Sequence, residues 1–362
     1  MSCTEIIQPS ITKDPRFRAG RKFINSGNPQ ASIDLFAILV EESRHQFGAT
    51  SIEAASAYYE YGNALLRARQ RDEDHLDHEQ RLESDIHKDC KEYTKEGKLD
   101  VNETSKEYAK RGIFEHSSSE EDGDDVQLSL EMMENSLGIL DDYIEISTSD
   151  ADDKVKSNKV CTENKTDEHV AGCSTTDHSY ILWAKDQLPR ILIGIGDIFA
   201  FSDKNTDAVD AYIRASPLRE QALEDEKNRL LTLNITRSID LLKLRRQVTE
   251  IYVLIAEQLL QCPAESDLIT SKSKVVFVRK EERVDFAGGY YDKARNELQK
   301  AVFLMGEIAS TQIIVEEKEN ICNIATMLMG VGQTLATCQE EERYASNLHN
   351  DSSVTVKKRR TK

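Results

Sequence analysis

Proline and glycine are scarce in this 362-residue chain, 6 and 16 residues against average usages of roughly 5% and 7%, which argues against a loop-rich all-β or collagen-like chain and favours helices. Aromatic residues make up only 6% of the sequence, with a single tryptophan. Seven cysteines, Cys3, Cys90, Cys161, Cys173, Cys262, Cys322 and Cys338, lie at irregular spacing with no CxxC pair. Such an odd, scattered set builds no disulfide framework and points to reduced thiols in the cytosol or nucleus. No uninterrupted apolar run approaches the roughly 18 residues that cross a bilayer. The stretch Met1 to Ser10 also lacks a basic region followed by an apolar core. A soluble, intracellular protein without a membrane partner is therefore expected. Positive charge is in short supply too: 47 Lys and Arg stand against 65 Asp and Glu, a net charge of -18. That balance repels nucleic-acid backbones, so direct DNA binding is not expected, and it attracts basic partners.

The acidity is concentrated. Between Asp72 and Asp125 there are 19 acidic against 8 basic residues, a net of -11, and Ser147 to His178 adds 7 against 4, a net of -3. Both stretches hold few large apolar residues and no sustained helical stripe, so 72–125 reads as a disordered acidic insertion and 147–178 as a polar linker. Within the insertion, Ser117, Ser118 and Ser119 each have an acidic residue three positions on, among them Glu120, Glu121 and Asp122, with Asp124 and Asp125 following. This is the spacing that acid-directed serine kinases read, and each phosphate would add about -1.5 to -2 charges. The flanking segments, Ile33–Val40, Ser51–Leu66, Val126–Ile146, Leu188–Ala215 and Leu230–Leu260, carry apolar residues three and four apart, as amphipathic helices do.

These helices fit a repeat of about 34 residues made of two antiparallel helices, with small residues at unit positions 8 and 20 and large ones at 4, 7, 11, 17 and 24. With Gly20 at position 8, Phe23 falls at 11, Gly27-Asn28 in the turn, Ser32 at 20, Phe36 at 24 and Leu39 at 27. With Gly62 at position 8, Tyr58, Tyr61 and Leu65 complete a first helix whose partner is expected only after the acidic insertion, in 126–146. A third unit has Leu192, Ile195, Gly196 and Phe199, then Ala208, Tyr212 and Ala215. A fourth has Tyr252, Ile255, Ala256 and Leu259, an internal loop near 262–284, then Tyr291, Ala294, Leu298 and Ala301. The expected fold is all-α, an α-solenoid of about four helix pairs: 11–71 holds the first pair and half of the second, and 179–310 the third and fourth. A capping helix over 311–345 and a basic tail over 346–362 close the chain.

The text Gly20-Arg-Lys-Phe-Ile-Asn-Ser-Gly27, with Tyr58-Tyr-Glu-Tyr-Gly-Asn-Ala-Leu-Leu66, the interruption inside the second unit and the resumption Val126-Gln-Leu-Ser-Leu-Glu-Met-Met133, resembles the nuclear autoantigenic sperm protein family of histone chaperones, whose tetratricopeptide array is split in this way. The resemblance implies shielding of histone H3 and the H3–H4 pair for nuclear delivery and nucleosome assembly, with the linker histone a further candidate. It also implies cooperation with other histone chaperones or a histone acetyltransferase, shuttling between nucleus and cytoplasm, and no cofactor. Which histone is preferred stays open, and so does a homodimer. The interruptions at 147–178 and 262–283 lie outside that family's pattern.

In such an array, positions 2, 5, 9 and 12 of each first helix face the inner wall. Here they bring forward the carboxylates Asp197, Glu250 and Glu257, the apolar Ile193 and Val253, and Tyr59 and Asn63 in the second unit. An acidic groove with apolar spots matches a Lys- and Arg-rich segment carrying a few apolar anchors. The resemblance implies the same, since family members hold a histone H3 segment on this surface with acidic residues matching Asp197 and Glu250. A carboxylate clamp for heat-shock chaperone tails needs Lys and Asn where Phe17 and Arg21 stand, so that rival lacks its grip.

Other patterns carry less. Gly194-Ile-Gly196 lacks the third glycine and a preceding strand of a dinucleotide turn. Asp203-Lys-Asn-Thr-Asp207 has Ala208 where a calcium loop needs Gly. Cys161, His169, Cys173 and His178 match no common zinc spacing, so no metal site is expected. No nucleophile and base pair emerges, and an enzyme is not expected. The run Lys357-Lys358-Arg359-Arg360 reads as a nuclear localisation signal. A generic repeat scaffold for another basic peptide, or a subunit of a chromatin-modifying complex, is the alternative.

Overall fold

The computed structural model describes residues 8–94, 122–157, 175–235, 238–262, 267–270, 274–277, 280–308 and 315–359. Among the described residues the chain is α-helical apart from one short antiparallel hairpin. It divides into two compact units, Pro9–Ile139 and a second from Leu140 onward.

The first unit opens with a 3-10 turn, Ser10–Lys13, and then α1 (Pro15–Asn25), α2 (Pro29–Phe47), α3 (Ile52–Thr94) and the first half of α4 (Asp122–Ser157). The start of α1 is set locally: the Asp14 side chain accepts from the Arg16 amide at 2.7 Å, and Pro15 lies at the first helical position, where its missing N–H costs nothing. The helix stops at Gly27, whose φ of 72° is a left-handed conformation that favours glycine. Helices α1 and α2 then meet face to face. A Cβ on Gly20 would stand 2.6 Å from Phe36 Cζ, so only glycine admits the Phe36 ring at this distance. Phe17 adds an edge-on contact to the same ring at 5.5 Å, and Ser32, Phe36 and Leu39 are buried.

The same device recurs on α3. A Cβ on Gly62 would lie 2.9 Å from the Ser129 carbonyl oxygen and 3.0 Å from Met133 Cγ of α4. The Ser129 hydroxyl donates to the Gly62 carbonyl at 2.7 Å and the Ser136 hydroxyl to that of Ala55 at 2.8 Å. The partner of α3 is thus delivered from 67 residues downstream in sequence.

The second unit contains α5 (Thr175–Phe201), α6 (Asn205–Thr232), α7 (Ile239–Gln261), the hairpin β1 (Asp267–Thr270) and β2 (Lys274–Phe277), α8 (Lys280–Glu307) and α9 (Val315–Arg359). In the hairpin Leu268 pairs with Val276 and Ile269 with Val275. Helices α5, α6, α7 and α8 pack successively, and α9 packs on both α7 and α8. Between α5 and α6 a Cβ on Gly196 would stand 2.7 Å from Tyr212 Cδ1, and the intervening tight turn places Asp203 at φ 56°. The Ser238 hydroxyl caps α7 by accepting from the Asp240 amide at 3.2 Å. Along α9, Glu317, Ile321, Ile324, Leu328, Val331 and Leu335 are buried at alternating steps of four and three, one stripe of a helix laid on its neighbours. By length and composition Glu317–Glu341 is apolar enough to cross a membrane. Ile321, Ile324, Leu328 and Val331 nevertheless belong to the core cluster with Tyr252 and Ala294.

Several sequence expectations need correction. The insertion assigned to 72–125 is not irregular throughout: α3 runs on to Thr94, and α4 begins at Asp122. Asp122, Asp124 and Asp125 therefore belong to the start of α4. Ser117, Ser118, Ser119, Glu120 and Glu121 lie outside the described residues, as do Cys161, His169 and Cys173. The linker 147–178 loses its ends to α4 and α5, and the loop near 262–284 contains the hairpin and the first turn of α8. The second helix of the third unit does not end near Ala215 but passes through Pro217 to Thr232, because Arg219, Leu223 and Leu230 extend its buried stripe. The cap is longer than 311–345: α9 continues to Arg359, taking in Lys357 and Lys358, and Arg360 lies outside the described residues.

Gly196 and Gly138 separate packing from propensity. Gly138 is helical with nothing within 4 Å of its missing Cβ. Gly138→Ala is expected to stabilise by up to about 1 kcal/mol, the usual gain over glycine in a helix. Gly196→Ala is expected to destabilise by about 1–3 kcal/mol through overlap with Tyr212. Urea unfolding of the two variants checks both signs.

Candidate functional site

The residues proposed for a ligand-binding face fall on three helices. On α5, Ile193 and Asp197 are four residues apart and half-buried on one face. Asp197 accepts a hydrogen bond from the Tyr212 hydroxyl at 2.8 Å, so the aromatic ring that fills the space over Gly196 also orients the carboxylate beside it. Arg190, two turns before Asp197, reaches the Asp186 carboxylate at 3.6 Å, and the buried Arg219 of α6 reaches the same carboxylate at 3.2 Å.

On α7, Glu250 and Glu257 are seven residues apart and both half-buried. Val253, expected between them on the open wall, is instead fully buried at 0% exposure in the core cluster of α6, α7, α8 and α9. Its apolar side chain packs inward against neighbouring helices, which removes it from any ligand-facing surface. Glu250 accepts from Arg246 Nη1 at 3.1 Å, and Arg246 Nε donates to the buried Glu317 of α9 at 2.7 Å. Glu250 is thus a member of an internal ion network that ties α7 to α9. Arg245, on the adjoining face, binds Glu297 of α8 at 2.5 Å. This cationic side of α7 was missed in the sequence, although Arg246 and Glu250 stand at the i,i+4 spacing of a helical ion pair.

Glu257 differs. Among the described residues no hydrogen-bond donor or cation is found against its carboxylate, and burial alone pushes its pKa above the usual 4.5. A half-desolvated carboxylate without an internal partner is a strong acceptor for an incoming ammonium or guanidinium, because part of its hydration has already been removed.

Tyr59 and Asn63 sit four apart on α3 in the first unit, both half-buried. Nearby on that helix Glu60 is buried and pairs with Arg21 of α1 at 3.2 Å. In the second unit, α6 packs against both α5 and α7, so the α5 and α7 faces flank one helix. The structure brings Ile193 with Asp197, and Glu250 with Glu257, onto common faces; Val253 leaves the set. Among the described residues no group of three His, Cys, Asp or Glu side chains is placed to hold a metal ion.

The raised pKa of Glu257 fixes the sign of a pH effect. The folded state holds this proton more tightly than the unfolded chain, so as pH rises from 4.5 through the folded value the ionised carboxylate progressively disfavours folding. Glu257→Gln is expected to raise the melting temperature at pH 7 and to leave it nearly unchanged at pH 3.5, where the carboxyl is protonated in both states. Thermal scans at the two pH values read the difference.

No family model matches this chain, and no curated protein matches it.

Proposed function

We propose that the chain is a histone-binding protein of the interrupted tetratricopeptide type, a chaperone that shields histone H3 or the H3–H4 pair without catalysis. The observation that carries this reading is the split second helix pair. Gly62 of α3 and Ser129 of α4 close on each other at 2.7 Å across an acidic stretch of sequence, while Gly20 with Phe36 and Gly196 with Tyr212 repeat the close approach in uninterrupted pairs. That combination supports the tetratricopeptide arrangement and the family resemblance together. The net charge of -18, most of it in the two interrupting stretches, supports a strongly cationic partner.

In this mechanism the acidic stretch draws in the histone and screens its charge. The face with Ile193, Asp197 and Glu257 then grips a short Lys- or Arg-bearing segment. Glu257 is the principal anchor, because Glu250 is already engaged by Arg246 and Asp197 by Tyr212. Release follows competition by DNA or by another chaperone, with no nucleotide hydrolysis. The basic run at 357–360 acts as the nuclear address.

Arg246, paired with Glu250, and Arg190, paired with Asp186 on the same helix as Asp197, favour a second reading, a scaffold for a basic peptide other than a histone, since they dilute the negative charge of these helices. One titration separates the two. At physiological salt, full-length chain and purified H3–H4 should bind with an affinity about tenfold weaker in Glu257→Gln, a loss of about 1.4 kcal/mol, and weaker still when Asp197→Asn is added. Unchanged H3–H4 affinity in both variants would remove this face from the mechanism. Absence of H3–H4 binding by the parent chain would leave the scaffold reading.

A further inference from the structure

Between the start of α7 and the end of α8 lies a cleft of about 400 Å3, within the size range of small-molecule sites. Both helices build it. Leu241 and Arg245, one turn apart on α7, form one side, and Asn296, Gln299, Lys300, Phe303 and Leu304 of α8 form the other. The α8 residues recur at steps of three and four, so they share one face of that helix. Leu241 and Leu304 are buried members of the core cluster and give the cleft apolar ground. Phe303, by contrast, is 72% exposed, so its ring is left largely to solvent.

In a chain of net charge -18 this lining has the opposite sign: among the described residues its charged members are Arg245 and Lys300. Both are engaged, and by the same group. Arg245 Nη1 donates to one oxygen of the Glu297 carboxylate at 2.5 Å, and Lys300 Nζ donates to the other at 2.6 Å. Two cations sharing one carboxylate leave the cluster with a positive excess, and neither has to leave Glu297 for that excess to act. A guanidinium has five N–H donors and an ammonium three, and these two contacts take one from each. The side chains of Arg245 and Glu297 are only 15% and 14% exposed, so solvent screens the excess less than at an open surface. The Asn296 and Gln299 amides add donors that carry no charge.

We propose that this cleft binds a small organic anion in which a single carboxylate is joined to a flat apolar ring. The carboxylate joins the cluster of Arg245, Lys300 and Glu297 and makes its charges equal, taking further hydrogen bonds from the ammonium or guanidinium and from the Asn296 or Gln299 amide. The ring lies on Leu241 and Leu304 and covers part of the exposed Phe303 face, where stacked or edge-on aromatic contact adds to the burial. An inorganic anion would leave the apolar ground and the Phe303 ring unused. A polyanion such as nucleic acid would meet the repulsion of the whole acidic chain, which acts far less on a single charge. The site asks for a ligand opposite in charge to a histone tail, and it does not depend on what binds the face with Asp197 and Glu257.

The test is calorimetric titration of the full chain with 2-naphthylacetate, with its primary amide as the uncharged control. Saturable binding of the acid is expected, with the amide about tenfold weaker or more because the charge-assisted hydrogen bonds are lost. Lys300→Met removes the excess charge while leaving Arg245 on Glu297, and should weaken the acid about tenfold, whereas Lys300→Arg should keep its affinity near that of the parent. Phe303→Ser should also weaken the acid about tenfold. Its melting temperature should match that of the parent, because the ring is mostly in solvent before any ligand binds. No saturable binding of the acid, equal binding of acid and amide, or unchanged affinity in either Lys300→Met or Phe303→Ser, each overturns the proposal.

Discussion

The close approach of paired helices through a missing Cβ is the constraint on which the rest of the structure depends. At Gly20, Gly62 and Gly196 the neighbouring helix sends Phe36, Met133 or Tyr212 into space that any side chain would occupy. Each glycine carries a helix-propensity cost of about 1 kcal/mol, and the large side chain it admits is buried almost completely, with exposures of 0%, 0% and 1%. Burying such a side chain is worth about 1.5–3 kcal/mol, so the exchange favours the paired state. Because the contact is specific in shape, it also sets register. A one-residue slip would bring a side chain of α5 against the Tyr212 ring.

The same contact reaches the chemistry. Tyr212, fitted over Gly196, donates its hydroxyl to Asp197, so packing and the orientation of a candidate ligand-facing carboxylate are a single event. Elsewhere the acidic surface is balanced from within. Arg246 joins Glu250 to Glu317, Arg219 and Arg190 converge on Asp186, and Arg245 holds Glu297. Half-buried carboxylates with guanidinium partners are structural members as much as binding groups, since removing either partner leaves a charge partly desolvated. Glu257, whose pKa burial raises, is the exception on the α7 face, with no cation placed against it among the described residues.

Much of the helical plan was readable from spacing. Gly20 and Phe36 stand sixteen residues apart, as do Gly196 and Tyr212, and the 3,4 recurrence of apolar residues marked the helices that meet there. Three things were not readable. The helical continuation of α3 past 72 has no apolar stripe to announce it. The passage of α6 through Pro217 rests on Arg219, Leu223 and Leu230 finding buried places, which the proline obscures. Val253 was assigned to an open face by its position in the repeat, yet α8 and α9 join the core around α7 and bury that position.

By itself the sequence determined helix identity, the small-against-large pairing, the net charge of -18 and the location of that charge, because these are properties of composition and of short-range periodicity. Tertiary structure decided which carboxylates remain available. Whether Glu250 meets Arg246, whether Glu317 of a helix 67 residues further on completes that network, and whether Glu257 is left without a cation all depend on how α7 and α9 are packed. Coulombic partnership falls off over a few ångströms and is strengthened by desolvation, and neither distance nor desolvation across helices is encoded in linear spacing.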